Sequence, residues 1–204
     1  MALISRNNYI FIHIYKCAGM SIRKVLLENI SSTEFQRSHD TAETIRNVCY
    51  AHHGKFFWDS AFKFSFVRNP FDWVVSLYEF IRENDTHPNY EEVIQMDFER
   101  FCKWNVDSIR NKKDNANGSY HTLSEFLFDS KSGELLVDFV GKLETYEEDC
   151  KKIFDVLKIS DDKIPHINQT SSRNKDYRSY YTERCRDIIA DGFYYDLVNF
   201  NYKY

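Results

Sequence analysis

Short apolar runs alternate with stretches of helical periodicity along this chain of 204 residues. Tyr9-Ile-Phe-Ile-His-Ile14 is rich in β-branched and aromatic residues, which predicts a buried strand. Ile22, Val25, Leu26 and Ile30 recur at helical spacing, so residues 16–21 form the turn from strand to helix. Residues 34–38 predict a second short strand. Asp40 or Thr41 reads as an N-cap, with Ile45 and Val48 on the apolar face of the next helix. Lys63-Phe-Ser-Phe-Val67 alternates as a third strand, and Pro70 suits the first turn of the helix carrying Trp73, Val74, Leu77, Tyr78 and Ile81. Beyond it, residues 91–104 predict a helix, 105–119 a polar, mobile surface loop, and 135–143 a strand. Residues 145–157 predict an amphipathic helix, 165–175 a polar loop and 180–199 a closing helical segment. Strands alternating with helices predict an α/β fold with a mostly parallel sheet. The length fits one domain over residues 1–204.

Composition narrows the classes. A hydrophobic fraction of 43% and a charged fraction of 28% exclude a disordered or coiled-coil chain. A net charge of −4 excludes nucleic-acid recognition by a general positive field, so an anionic ligand must be met by a local cluster of cations or amides. No run approaches the roughly 20 apolar residues of a membrane span. Residues 1–14 lack the long apolar stretch and cleavage site of a secretory signal. Cys17, Cys49, Cys102, Cys150 and Cys185 are widely spaced with no CxxC pair, which fits neither a disulfide framework nor a zinc site. The expectation is a reduced, soluble, cytoplasmic protein.

Candidate chemistry gathers at two strand-to-helix turns, where unsatisfied helix amides are ready anion sites. In the first, Gly19 permits close backbone approach, Lys16 offers an ammonium and Ser21 a hydroxyl in the first helical turn. The G-x-x-x-x-G-K-[ST] pattern of a Walker A loop is absent. Alone, this turn reads as an ordinary connection with one exposed lysine. In the second, Arg68 leaves the strand end with a planar fork suited to a phosphate, and Ser76 lies two turns into the helix. The competing reading there is an Arg68–Asp72 ion pair and a serine that fills a core gap.

Taken together, the turns resemble those of sulfotransferases that use 3′-phosphoadenosine 5′-phosphosulfate (PAPS). The first resembles the family's HIPKTGGTS through His13, Lys16, Gly19 and Ser21; the second resembles FVRNPxxRxxSxY through Arg68, Asn69, Pro70, Ser76 and Tyr78. Asp138-Phe-Val-Gly-Lys-Leu-Glu144 with Glu147-Glu-Asp149 is similar to the family's DFVGRFE…EED. His166-Ile-Asn-Gln-Thr-Ser171 with residues 177–181 is similar to its HLNKS…YREYY, and residues 196–202 to its DIELFGY. The matches span residues 10–202. Tyr15 stands in place of the usual Pro, Cys17 of a small residue or Thr, Met20 of a Thr, and Trp73 of a common Arg.

The resemblance implies a P-loop-like three-layer fold, its central sheet flanked by helices, and in-line transfer of a sulfuryl group from PAPS to a carbohydrate or glycolipid hydroxyl. It implies that Lys16 stabilises the leaving phosphate oxygen. The segment Lys16, Cys17, Ala18, Gly19, Met20 and Ser21 holds the 5′-phosphate, largely through the amides of residues 18–21. Arg68 and Ser76 hold the 3′-phosphate, and Ser171 and Arg173 help close over the donor. PAPS brings an activated group, so no metal is required. A hydroxyl acceptor needs a general base, and the histidines rank His39, then His53, then His52, the last two competing with a reading as solvated loop residues. His13 reads as structural. Trp58 or Trp73 is a candidate to stack on adenine or sugar, and most other aromatics read as core. Two other readings stay open: a nucleotide kinase on the related P-loop scaffold, and a non-catalytic nucleotide-binding relative.

Overall fold

The computed structural model describes residues 3–5, 8–29, 33–35 (backbone only), 39–111, 121–160 and 176–204. They form two compact units: Met1–Val67 with Glu125–Asn168, and Arg68–Ser124 with Gln169–Tyr204.

The first unit is built on an open five-stranded sheet: β1 (Leu3–Ser5), β2 (Tyr9–Ile12), β3 (Thr33–Phe35), β4 (Phe62–Val67) and β5 (Phe139–Lys142), in the order β3-β1-β2-β4-β5. β2 pairs in parallel with β4, Tyr9 opposite Phe62 and Ile12 opposite Ser65, and β4 with β5, Val67 opposite Lys142. β1 runs against both β2 and β3. Four strands therefore share one direction, and β1 alone opposes them. The α/β class with a mostly parallel sheet is as expected. β1 itself is a missed element: three residues are too short to show a period, and pairing on both sides is what holds them extended.

β2 is buried throughout and β4 nearly so, the continuous apolar run of a parallel sheet covered on both faces. Ser65, inside β4, satisfies its hydroxyl by donating to the Ile12 carbonyl at 2.7 Å. Helices α1 (Gly19–Asn29), α2 (Ala42–His52), α3 (Lys55–Ser60) and α8 (Tyr146–Leu157) accompany the sheet in this unit. Thr41 caps α2, its hydroxyl accepting from the Thr44 amide at 3.2 Å.

The second unit contains α4 (Pro70–Glu83), α5 (Tyr90–Val93), α6 (Phe98–Arg110), α9 (Glu183–Gly192) and α10 (Tyr194–Asn199); α7 (Leu123–Leu127) begins in it. Three expectations are corrected. The single helix over 91–104 is two, because the carbonyls between them are taken by side chains. Tyr78 Oη donates to Met96 O at 2.9 Å, and Arg82 reaches both Ile94 O and Met96 O before Asp97 caps α6. The loop expected from residue 105 starts later. α6 runs to Arg110, with Asn105, Val106, Ser108 and Ile109 buried, so tertiary burial overrides a polar composition. Residues 112–120 of that loop lie outside the described residues. The strand expected over 135–143 shrinks to β5, and Leu135 makes only an isolated bridge to Phe128. The closing segment is a 3₁₀ turn at Tyr177–Tyr180 followed by α9 and α10.

Candidate active site

The first turn follows β2. From Lys16 to Gly19 the sign of φ alternates, with Lys16 at +60° and Ala18 at +58° and the residues after each negative. A left-handed non-glycine residue costs roughly 1–2 kcal/mol, and two within three positions persist only where the surroundings enforce them. Alternation of this kind turns successive amides toward one side, the geometry of an anion-binding nest. At the head of α1 the amides of Gly19 and Met20 have no helical carbonyl ahead of them. The Ser21 amide, by contrast, donates to Ala18 O at 3.0 Å. Cys17 and Ser21 are buried, Lys16 is half-buried and the Met20 side chain is exposed.

Gly19 is not glycine for the sake of its φ. A Cβ there would lie 1.7 Å from His13 Cδ2 and 1.8 Å from Nε2. The close approach expected of a ligand is made by the His13 imidazole, which is buried and stacked 5.8 Å from the Phe11 ring. His13 also reaches the next histidine: its ring meets His39 edge-on at 4.7 Å, and its carbonyl lies 3.0 Å from His39 Nδ1. A carbonyl only accepts, so Nδ1 carries the proton and Nε2 the basic lone pair. Burial lowers the His39 pKa, and the bond to His13 O opposes that without reversing it. His39 is therefore neutral at pH 7, as a base must be.

His52 and His53 lie elsewhere. α2 carries the chain about 16 Å along its 11 residues before His53 closes it, its amide on Cys49 O and its ring against Phe57. α3 then ends with Ser60 bonded to Asn8, just before β2 begins. These two histidines sit at the opposite end of the strands from Lys16, whereas His39 sits beside the turn.

The second turn lies in the other unit and is built differently. Asn69 caps α4, its Oδ1 accepting from the Phe71 amide at 3.1 Å, with Pro70 at the first helical position. Asn69 Nδ2 donates to Lys203 O at 2.8 Å and reaches Tyr177 Oη at 3.4 Å, while Tyr181 Oη donates to Phe71 O at 2.8 Å. Arg68 is 8% exposed and donates through Nε to Asp72 Oδ2 at 2.5 Å. Asp72 and the buried Ser76 are four residues apart and share one face of α4, so Arg68, Asp72 and Ser76 form one stripe.

A model of the sulfotransferase family matches the chain over residues 2–203. The chain belongs to this family. Comparison with curated proteins and with solved structures gives no match. Sulfuryl transfer is the general chemistry of the family, which makes this protein a transferase.

In this sulfotransferase the downstream motif residues act as braces. Asp138 accepts from Lys63 N at 2.7 Å and pairs with Lys63 Nζ at 2.9 Å. Gly141 leaves room for the Phe66 ring, 2.6 Å from where a Cβ would stand. Asp149 accepts from Lys142 N, Thr145 Oγ1 and Lys152 Nζ, which pins β5 to α8. Burial pushes the Asp149 pKa up, but those donors outweigh it and the net shift is down. Asp196 accepts from the amides of Leu123 and Ser124 at the start of α7. Tyr78 anchors the α5–α6 corner. Trp73 packs on Phe193 with no exposed surface and Trp58 lies buried under Lys63, so neither presents a face for stacking on a ligand.

Ser171 and Arg173, with His166, lie outside the described residues. Among the described residues no three His, Cys, Asp or Glu side chains group as metal ligands do, and no helix is long and apolar enough to cross a membrane. Sequence reading misses Tyr15, whose ring meets His39, and Phe126, whose ring meets Tyr15. No spacing rule joins residues so far apart in the chain; the one local signal was a tyrosine where the family pattern has proline.

Proposed function

We propose that this sulfotransferase takes its sulfuryl group from PAPS and passes it in line to a hydroxyl of a carbohydrate or glycolipid. The donor set fits such a group in its chemistry: a nest of amides with a lysine at one helix start, and a buried arginine with a serine at another. When bound, PAPS supplies a sulfuryl group already activated by its bond to phosphate. In this reading the amides of Ala18, Gly19 and Met20 bind the 5′-phosphate. Lys16 stabilises charge on the departing phosphate oxygen, in the way preorganised donors act on developing charge. Arg68, its Nε held by Asp72, binds the 3′-phosphate, and Ser76 adds a hydroxyl from the same face of α4. Ser171 and Arg173 complete the donor set. His39 Nε2 takes the acceptor's proton. The cytoplasmic reading rests on five buried cysteines, none in a disulfide.

The observation that carries the reading is the bond between His39 Nδ1 and the His13 carbonyl, which supports His39 as a neutral base. Because the His39 pKa is lowered, the base stays active somewhat below the ordinary histidine value of about 6.5 and is lost only on the more acidic side. Transfer rate should be level through neutral pH and fall as pH drops further, and His39→Ala should remove the transfer while donor binding persists. Full activity in that variant sinks the assignment.

The decisive experiment is calorimetric titration with 3′,5′-ADP, with AMP and Mg-ATP as controls, followed by labelled PAPS against a panel of glycan acceptors. Binding that requires the 3′-phosphate, and label transferred to a sugar, are expected. Preference for Mg-ATP would instead favour a kinase, and 3′,5′-ADP binding without transfer a non-catalytic relative.

A further inference from the structure

Tyr15 immediately precedes Lys16 in the first turn. Its ring meets His39 edge-on, with centroids 5.5 Å apart and planes at 73°. It also meets Phe126 edge-on, at 6.0 Å and 73°. Phe126 has no exposed surface, so Tyr15 has a fixed backing, and Tyr15 itself is half-buried. His39 also meets the His13 ring, at 4.7 Å. The imidazole thus touches two rings while one nitrogen rests on the His13 carbonyl.

A histidine ring can rotate by half a turn and exchange Nδ1 for carbon, which would withdraw the proton from the carbonyl and turn Nε2 away. An edge-to-face contact biases such an equilibrium by about two- to tenfold. Proline, the residue usual here in the family pattern, has no ring edge that reaches so far.

We infer that Tyr15 is a positioning residue for this transfer: backed by Phe126, its ring holds the His39 imidazole so that Nδ1 stays on the His13 carbonyl and Nε2 meets the acceptor hydroxyl. The inference rests on the reading of His39 as the base. It gives Tyr15 no contact with donor or acceptor. The turn that sets Lys16 then also sets the base, because the two residues are neighbours in the chain.

The test is the protonation pattern of the His39 ring nitrogens, read from long-range proton–nitrogen spectra of the full chain in mildly alkaline buffer and assigned by the signal lost in His39→Gln. The unsubstituted protein should show one tautomer, with the proton on Nδ1. Tyr15→Phe should keep it. Tyr15→Ala should bring the two nitrogen shifts toward each other as both tautomers become populated; if that variant does not fold, Tyr15→Leu, which keeps bulk without an aromatic edge, carries the same expectation. Unchanged shifts in the non-aromatic variant, or equal disturbance in Tyr15→Phe, overturn the inference. In turnover, Tyr15→Ala should lower kcat about two- to tenfold with the KM for PAPS unchanged. In a His39→Ala background it should have no further effect, and an additional loss there also overturns the inference. If His39→Ala retains full turnover, the base assignment falls, while the nitrogen shifts still decide what holds the ring.

Discussion

The two strand-to-helix turns meet the same demand, presenting a cation and amides at a helix start, by opposite means. The first carries two left-handed residues and a glycine pressed under an imidazole, and its lysine is only half-buried. The second has no left-handed residue; a capping asparagine, a proline and three further polar contacts fix it, and its arginine is buried against a carboxylate. The first turn leaves its cation half-buried and places strain in the backbone. The second fixes its cation and takes its order from hydrogen bonds. Under the proposed transfer, the first would meet charge as it develops and the second a constant group.

Substitutions sharpen this contrast, the largest effect first. Lys16→Ala should lower the rate of sulfuryl transfer by about 10²–10³ and lower the melting temperature less than an Arg68 variant does; a comparable loss of stability would erase the distinction. Arg68→Ala should weaken 3′,5′-ADP binding by about 1.5–3 kcal/mol, as expected for a hydrogen bond to a charged group, and leave AMP binding nearly intact. It should also lower the melting temperature, because Asp72 loses its partner. Equal losses for the two nucleotides in calorimetry would remove the 3′-phosphate role.

Gly19→Ala drives a methyl group into the His13 ring and should destabilise by about 1–3 kcal/mol in denaturant titration. A neutral result would mean that the ring can move aside and that the first turn is loose. Asn69→Ala removes a cap and should cost about 1 kcal/mol, with the helix start of α4 gaining amide exchange; no change in exchange at Phe71 would show that Pro70 alone holds this turn.

Both turns were legible in the sequence because a buried parallel strand is a continuous apolar run and the helix after it has a period. Pro70 and Thr41 marked their helix starts where the chain has them. What could not be read depended on long-range contact. Asn105 and Ser108 look like loop residues, and only burial of their helix face keeps them in α6. β1 needed its partners on both sides. His39 was singled out from its chain position, but its bond to the His13 carbonyl is a matter of tertiary geometry. Motif residues such as Asp138, Asp149 and Asp196 were visible as a pattern, yet their work as braces emerged only with their partners.

The cysteines give the protein a built-in set of reporters. Cys17, Cys49 and Cys150 belong to the sheet unit, and Cys102 and Cys185 to the helical one. All are buried, and burial pushes the Cys150 thiol up to about 12 and the Cys102 thiol higher still. A thiol-reactive dye can therefore modify them only when the surrounding structure opens, so labelling rates read local unfolding directly. Followed cysteine by cysteine, those rates would show whether the lysine turn breathes with the body of the sheet, and whether the arginine half of the chain opens at its own pace.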